Sequence, residues 1–291
     1  AAQESAGHFA VYDAAQGQNE ERKLQVEKRL RHALEQNSLA LAFTPQLDLA
    51  SGRIAALGCS LQWPDGEGTS EENAIDAAET AGLVREVTWW LYNNAFRQCA
   101  EFAEDGVTLP VALKLSPGAL AQPDLIEFMD RALRTWKITP QRITIEVHES
   151  ALAEVNAALK ETLTGLKALG VRLGIDAFGT AAVSLANLAE LPFDAVRIGG
   201  AFLGDNASGA LHVKVVRALA HLAQDLGLAL TADGVNNADT ALALSTLGVN
   251  LVQGAYVGRA LSAQALLSCL PRGEALAQLP LTPKARALPR A

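Results

Sequence analysis

The sequence predicts an α/β fold, a TIM-like (β/α)8 barrel whose first strand runs antiparallel to its neighbours. Three observations carry this expectation. Short β-like runs alternate with helical stretches from residue 39 to residue 270, and strict alternation builds a sheet covered by helices. There are eight of each, and about 230 residues is the usual length for eight such units. The third observation is DLASGR, residues 48–53, which joins the first two runs with a turn where a crossover helix would otherwise lie. Strands joined so tightly pair antiparallel. A doubly wound open sheet is the alternative with the same alternation.

Taken in order, the elements begin with EERKLQVEKRLRHALEQ, residues 20–36, where Leu24, Val26, Leu30, Ala33 and Leu34 recur at helical spacing among charges. Asn19 stands before them as a helix cap, so a connecting helix is expected over residues 19–37. The strand runs follow: LALAFTPQL (39–47), IAALGCSLQ (54–62), LPVALKLS (109–116), ITIEVHE (143–149), VRLGIDAF (171–178), AVRIGG (195–200), LALTADG (228–234) and VNLVQGAYVG (249–258). Helices are expected over 71–81, 84–104, 123–136, 153–169, 182–189, 209–226, 237–247 and 262–270. The barrel thus occupies residues 38–270. The Pro- and Ala-rich basic stretch over 271–291 reads as a flexible tail.

Composition excludes several functions. With 49% hydrophobic residues the chain can bury a large core, and its formal charge of −8 disfavours a DNA or RNA duplex as partner. Cys59, Cys99 and Cys269 are few and widely spaced, which supports neither a disulfide framework nor a Cys-x-x-Cys metal site. The most apolar stretch, near residues 215–232, is broken by Arg217, His221 and Asp225, so no membrane insertion is expected. The start, AAQESAGHFA, lacks the pattern of a signal peptide, and a cytoplasmic location is expected.

Function in a barrel gathers where the strands end at the C-terminal face. The third to eighth strands end in Lys114, Glu146, Asp176, Arg197, Asp233 and Gln253. Singly, each is a solvated terminus or half of a structural ion pair. Together they point to a ligand site. His148 and Cys59 have no matching partner for catalysis and read as a locally satisfied strand residue and a small wall residue.

The ordered set ITIEVHES, GIDAFGT, AVRIGGAF, LTADGV and VQGAYVGR resembles the EAL domain family, phosphodiesterases that hydrolyse cyclic di-GMP. The resemblance runs from about residue 38 to 270 and includes the DLASGR turn. It implies two-metal hydrolysis, in which carboxylates hold paired divalent cations. The segment IAALGCSLQW stands where the Glu-Ala-Leu triplet belongs, and the triplet has become Gly58, Cys59 and Ser60. Against the family pattern the third-strand Asn is Lys114, the second Asp of Asp-Asp-Phe-Gly is Ala177, the sixth-strand Lys is Arg197, and the seventh-strand Glu is Asp233. Glu146 and Asp176 are retained.

Over these seven positions the family pattern carries a charge of −4, whereas Glu146, Asp176 and Asp233 against Lys114 and Arg197 leave −1. Two divalent cations beside a buried ammonium would place like charges together in a low dielectric. The resemblance therefore implies a catalytically inactive, metal-free receptor of cyclic di-GMP, similar to FimX-type degenerate EAL receptors, with no cofactor. Lys114 and Arg197 would face phosphate, Asp233, Gly234, Gln253 and Gly254 the polar edges, and Thr44, Ser60 and Gln62 the near wall, with Glu146 and Asp176 completing the site. The alternative is internal pairing of Lys114 with Glu146 or Asp176, which leaves a protein-interaction scaffold that binds no nucleotide. A protein partner is expected, of PilZ type in type IV pilus regulation on this resemblance. GHFAVYDAAQG, residues 7–17, is similar to the close of a GGDEF domain, so residues 1–18 read as the remnant of one.

Overall fold

The computed structural model describes residues 14–63, 71–181, 184–199, 202–203 and 210–269. The expected tail over 271–291 and most of the expected GGDEF remnant lie outside them. The chain opens with helix α1 (Ala14–Glu35). It starts earlier than expected, so Asn19 lies inside the helix and not at its N-cap position. Its end is marked by Asn37, which adopts a left-handed φ of 51° while the Asn37 and Ser38 amides donate to the carbonyls of Leu34 and Ala33. A short polar side chain tolerates that conformation and closes the helix in a Schellman arrangement.

Strands β1 (Ala40–Asp48) and β2 (Arg53–Gln62) form the predicted antiparallel hairpin. Asp48 Oδ1 accepts from the Ala50 amide at 2.8 Å, and Gly52 supplies a φ of 66°. After α2 (Glu71–Thr80) and α3 (Val84–Glu104) come β3 (Val111–Leu115), α4 (Pro117–Leu120), α5 (Leu125–Thr135), β4 (Ile143–His148), α6 (Ala157–Ala168) and β5 (Arg172–Asp176). The circuit continues through α7 (Leu185–Glu190), β6 (Ala195–Ile198), α8 (Ala210–Asp225), β7 (Ala229–Ala232), α9 (Ala238–Thr246), β8 (Leu251–Val252) and α10 (Ala263–Cys269). The eight strands close in sequence order, with β1 antiparallel to both β2 and β8 and the others parallel. An open sheet is excluded.

β8 is far shorter than the expected 249–258. Gly254 takes a φ of 136°, and a Cβ there would lie 2.5 Å from the Val235 backbone nitrogen and oxygen. The chain turns at that point against the loop after β7 and cannot extend the ladder. Elsewhere the two faces of each strand divide cleanly. Leu57, Cys59, Leu113, Ile145, Leu173, Val196 and Leu230 are buried in the layer between strands and helices, where amphipathic helices such as α5 bury Leu125, Phe128, Met129 and Leu133 at helical spacing.

The inward residues are small or polar: Thr44, Gln46, Ala56, Gly58, Ala112, Thr144, Glu146, Gly174 and Thr231. Most such barrels fill their interior with bulky branched side chains. This one leaves space there for charge.

Candidate functional site at the barrel mouth

Register builds the site. Lys114 pairs with Glu146 across β3 and β4, and Glu146 with Gly174 across β4 and β5, so these positions stand at one level of the barrel. Gly174 has no side chain, and a Cβ there would come within 3.3 Å of Glu146 Cγ. That space admits the Glu146 side chain, whose carboxylate meets the guanidinium of Arg197. Arg197 Nε lies 3.0 Å from both carboxylate oxygens, and Nη2 donates to Oε1 as well. Burial by itself opposes the guanidinium charge, but the charge and hydrogen bonds of Glu146, joined by Asp233 and Asp176, outweigh it and hold the Arg197 pKa above its ordinary value.

Lys114 is placed differently. Its Nζ lies 3.0 Å from Asp176 Oδ2, and its side chain keeps 27% exposure against 5% for Arg197. Asp176 also sits 3.8 Å from Arg197 Nε, so one carboxylate stands between both cations. The remaining Arg197 nitrogen, Nη1, reaches Gln253 Oε1 at 3.5 Å, and that oxygen accepts from Gln46 Nε2 at 3.0 Å. A four-residue polar layer, Glu146, Arg197, Gln253 and Gln46, thus crosses the barrel.

Above it, a cavity of about 40 Å³ brings together Thr44, Gly58, Ser60, Lys114, Asp233 and Gln253. Beside it, a cavity of about 360 Å³ is lined by Ile75, Glu79, Lys114, Ser116, His148 and Asp176. Below the layer, about 420 Å³ opens between Asp48, Thr144, Arg172 and Thr231.

The other expected residues fall around this centre. Ser60 and Gln62 lie at the rim, 3.5 Å apart through Oγ and Nε2. Asp233 Oδ1 accepts from the Gly234 amide at 2.7 Å, and Gly234 has a φ of 86°. Gly234 and Gly254 therefore shape the backbone of the two loops. His148 Nδ1 accepts from the Ser150 amide and meets the Ser150 hydroxyl at 2.8 Å, the local satisfaction expected of it. Cys59 is buried in the core cluster and also borders the small cavity at the mouth.

Three residues escaped the sequence reading. Glu149, buried to 1%, accepts from the Thr180 and Ala181 amides and so organises the loop after β5. Glu79 accepts from the Gly118 amide at the start of α4. Gln46 is buried in the strand, and its signal was parity: it lies two residues beyond Thr44 and shares the inward face.

The sequence profile of the EAL domain matches residues 27–260. The chain belongs to the EAL domain family. Among curated relatives it is similar to the bifunctional diguanylate cyclase/cyclic di-GMP phosphodiesterase MucR of Pseudomonas aeruginosa, 29% identical over 89% of this chain and 38% of that protein. It is also similar to the cyclic di-GMP phosphodiesterase PdeR of Escherichia coli, 28% identical over 85% of this chain and 38% of PdeR. The chain spans under two-fifths of these relatives. Among solved structures, the PaMucR phosphodiesterase in its c-di-GMP complex superposes with a TM-score of 0.79 at 28% identity, over 83% of this chain and 99% of that one. The Xanthomonas citri FimX EAL domain in complex with c-diGMP superposes at 0.75 over 86% and 97%, and its 24% identity speaks for the fold alone.

The metal pair implied by the EAL family does not fit the residues present. A side chain at Gly58 would place its Cβ 2.8 Å from Gln253 Oε1 and 3.4 Å from Gln46 Nε2, so amides occupy the space that a side chain at residue 58 would need. An ammonium stands at Lys114, and Ala177 carries no ligand atom. Among the described residues no three His, Cys, Asp or Glu side chains converge as a metal site. None of the helices in those residues is long and apolar enough to cross a membrane.

Proposed function

We propose that this EAL domain binds cyclic di-GMP at the barrel mouth without a divalent metal, does not hydrolyse it, and passes its occupancy to a protein partner. The observation that carries this reading is the filling of the residue-58 volume by the Gln253 and Gln46 amides, next to a lysine bridged to Asp176. Hydrolysis needs a nucleophile generated from water, and the residues at positions 58, 114 and 177 offer no side-chain carboxylate to hold a Lewis acid that would lower its pKa. The chemistry left to it is recognition of an anion.

Lys114 is the cation suited to that role. It is partly exposed, and a phosphate oxygen can replace Asp176 as its partner in a charge-assisted hydrogen bond. Arg197 remains below as a fixed charge, its fork held by Glu146. Exchanging one anion for another at Lys114 yields little net energy, so affinity is modest. From the motif resemblance to degenerate EAL receptors we propose a PilZ-type partner in type IV pilus regulation in the cytoplasm.

A second reading is favoured by the same ion pairs. Both mouth cations already have carboxylate partners, and a mouth closed in this way serves as a protein-interaction scaffold. Calorimetry with cyclic di-GMP in chelator separates the two, since the receptor releases or absorbs heat and the scaffold does not. Asp176→Asn sharpens the comparison. Releasing Lys114 from its carboxylate raises receptor affinity about tenfold, on the scale of one charge-assisted hydrogen bond, and leaves a scaffold inert. Turnover of the dinucleotide to a linear product with added magnesium or manganese would refute inactivity.

A further inference from the structure

The polarity of the amide layer is set by chemistry. A guanidinium has donors and no acceptor, so the Gln253 group facing Arg197 Nη1 is its carbonyl oxygen. That same oxygen lies 3.0 Å from the Gln46 amide, which must therefore present its NH2 group. Neither glutamine can flip without setting donor against donor. With its oxygen pinned from two sides, Gln253 turns its own NH2 away from Arg197 and Gln46. Gln253 also lines the small upper cavity, together with Thr44, Gly58 and Lys114.

The pinned oxygen lies 2.8 Å from where a Cβ of residue 58 would stand. Gln46, 2% exposed and contributed by the strand paired with β2, is what holds it there besides Arg197.

We infer that Gln46 is a positioning residue that locks Gln253 into the space of a residue-58 side chain and aims its amide donors at the mouth. The lock has two consequences. It makes a side chain at residue 58 costly, because even a Cβ there would press on the Gln253 oxygen that Gln46 and Arg197 hold in place. It also presents a neutral donor beside Lys114, suited to an anionic or carbonyl oxygen of the ligand; this second consequence rests on the nucleotide-binding reading above.

The test is a thermal cycle of Gly58→Ala and Gln46→Met, the methionine matching glutamine in length but carrying no donor. In the wild-type background Gly58→Ala is expected to lower Tm by about 4 °C, the shift that a change of one to two kcal/mol gives a domain of this size. In the Gln46→Met background the same alanine costs less than half as much, since Gln253 is free to move aside. Additive shifts would overturn the lock. This arm needs no nucleotide, so it stands or falls separately from the proposed function.

Calorimetry with cyclic di-GMP forms the second arm. Gln46→Met weakens binding about tenfold, the scale of one hydrogen bond to a charged group, although residue 46 lies beneath the cavity. An unchanged Kd in a variant that couples thermally to residue 58 would overturn the donor role and leave Gln46 as the lock on Gln253 alone. Absence of binding by the wild type would instead refute the receptor.

Discussion

Ala177 occupies a left-handed conformation, φ 57°, directly after the mouth carboxylate Asp176. Its carbonyl accepts from the Thr180 amide and hydroxyl, so the turn holds it there. A Cβ in that region costs about 1 kcal/mol, and Ala177→Gly is expected to raise Tm by about 2 °C, read by calorimetric melting. A second residue responds to pH. Burial pushes the Cys99 thiol from 9.0 up to about 12, against a weaker opposing influence of Arg142. Because the folded state holds this proton more tightly, its contribution is complete below pH 9 and is lost as pH rises from 9 toward 12. Urea denaturation across that range should show a steeper loss for the wild type than for Cys99→Ala. The opposite order would refute the assignment.

At the scale of elements, the loops that follow β7 and β8 depend on one glycine. Gly254→Ala would drive a Cβ to within 2.5 Å of the Val235 backbone, where neither strand end has freedom to yield. We expect a loss of about 3 kcal/mol, as for other incompatible substitutions at positive φ, measurable as a shift of the urea midpoint. Most elements were legible in advance because their periodicity is local: the helical spacing of α5 and the hairpin signal of DLASGR depend only on neighbouring residues. Two expectations failed. Asn19 looks like a cap, but the helical pattern continues through it. The apolar run over 249–258 looks like one strand, but the close approach of Gly254 to Val235 ends it early, and that approach joins segments about 20 residues apart.

For the whole molecule, the mouth is a nearly balanced electrostatic assembly. Glu146 with Arg197 and Asp176 with Lys114 neutralise one another, and Asp233 remains. Chelator should therefore leave both Tm and any cyclic di-GMP affinity unchanged, whereas salt should weaken binding through Lys114, which is open to screening. A chelator-dependent Tm would refute the metal-free reading. The sequence by itself determined the alternation that closes the barrel, the antiparallel first hairpin, the EAL resemblance, and the residue types at positions 58, 114 and 177, because each is written in the order of residues along one element. Only tertiary structure decided which cation meets which carboxylate, that Arg197 lies beneath the mouth while Lys114 stands at its edge, and that Gln46 and Gln253 crowd the space beside Gly58. Those outcomes depend on side chains from strands as far apart as β1 and β8 converging on one axis, and no local pattern encodes which of them will share a hydrogen bond.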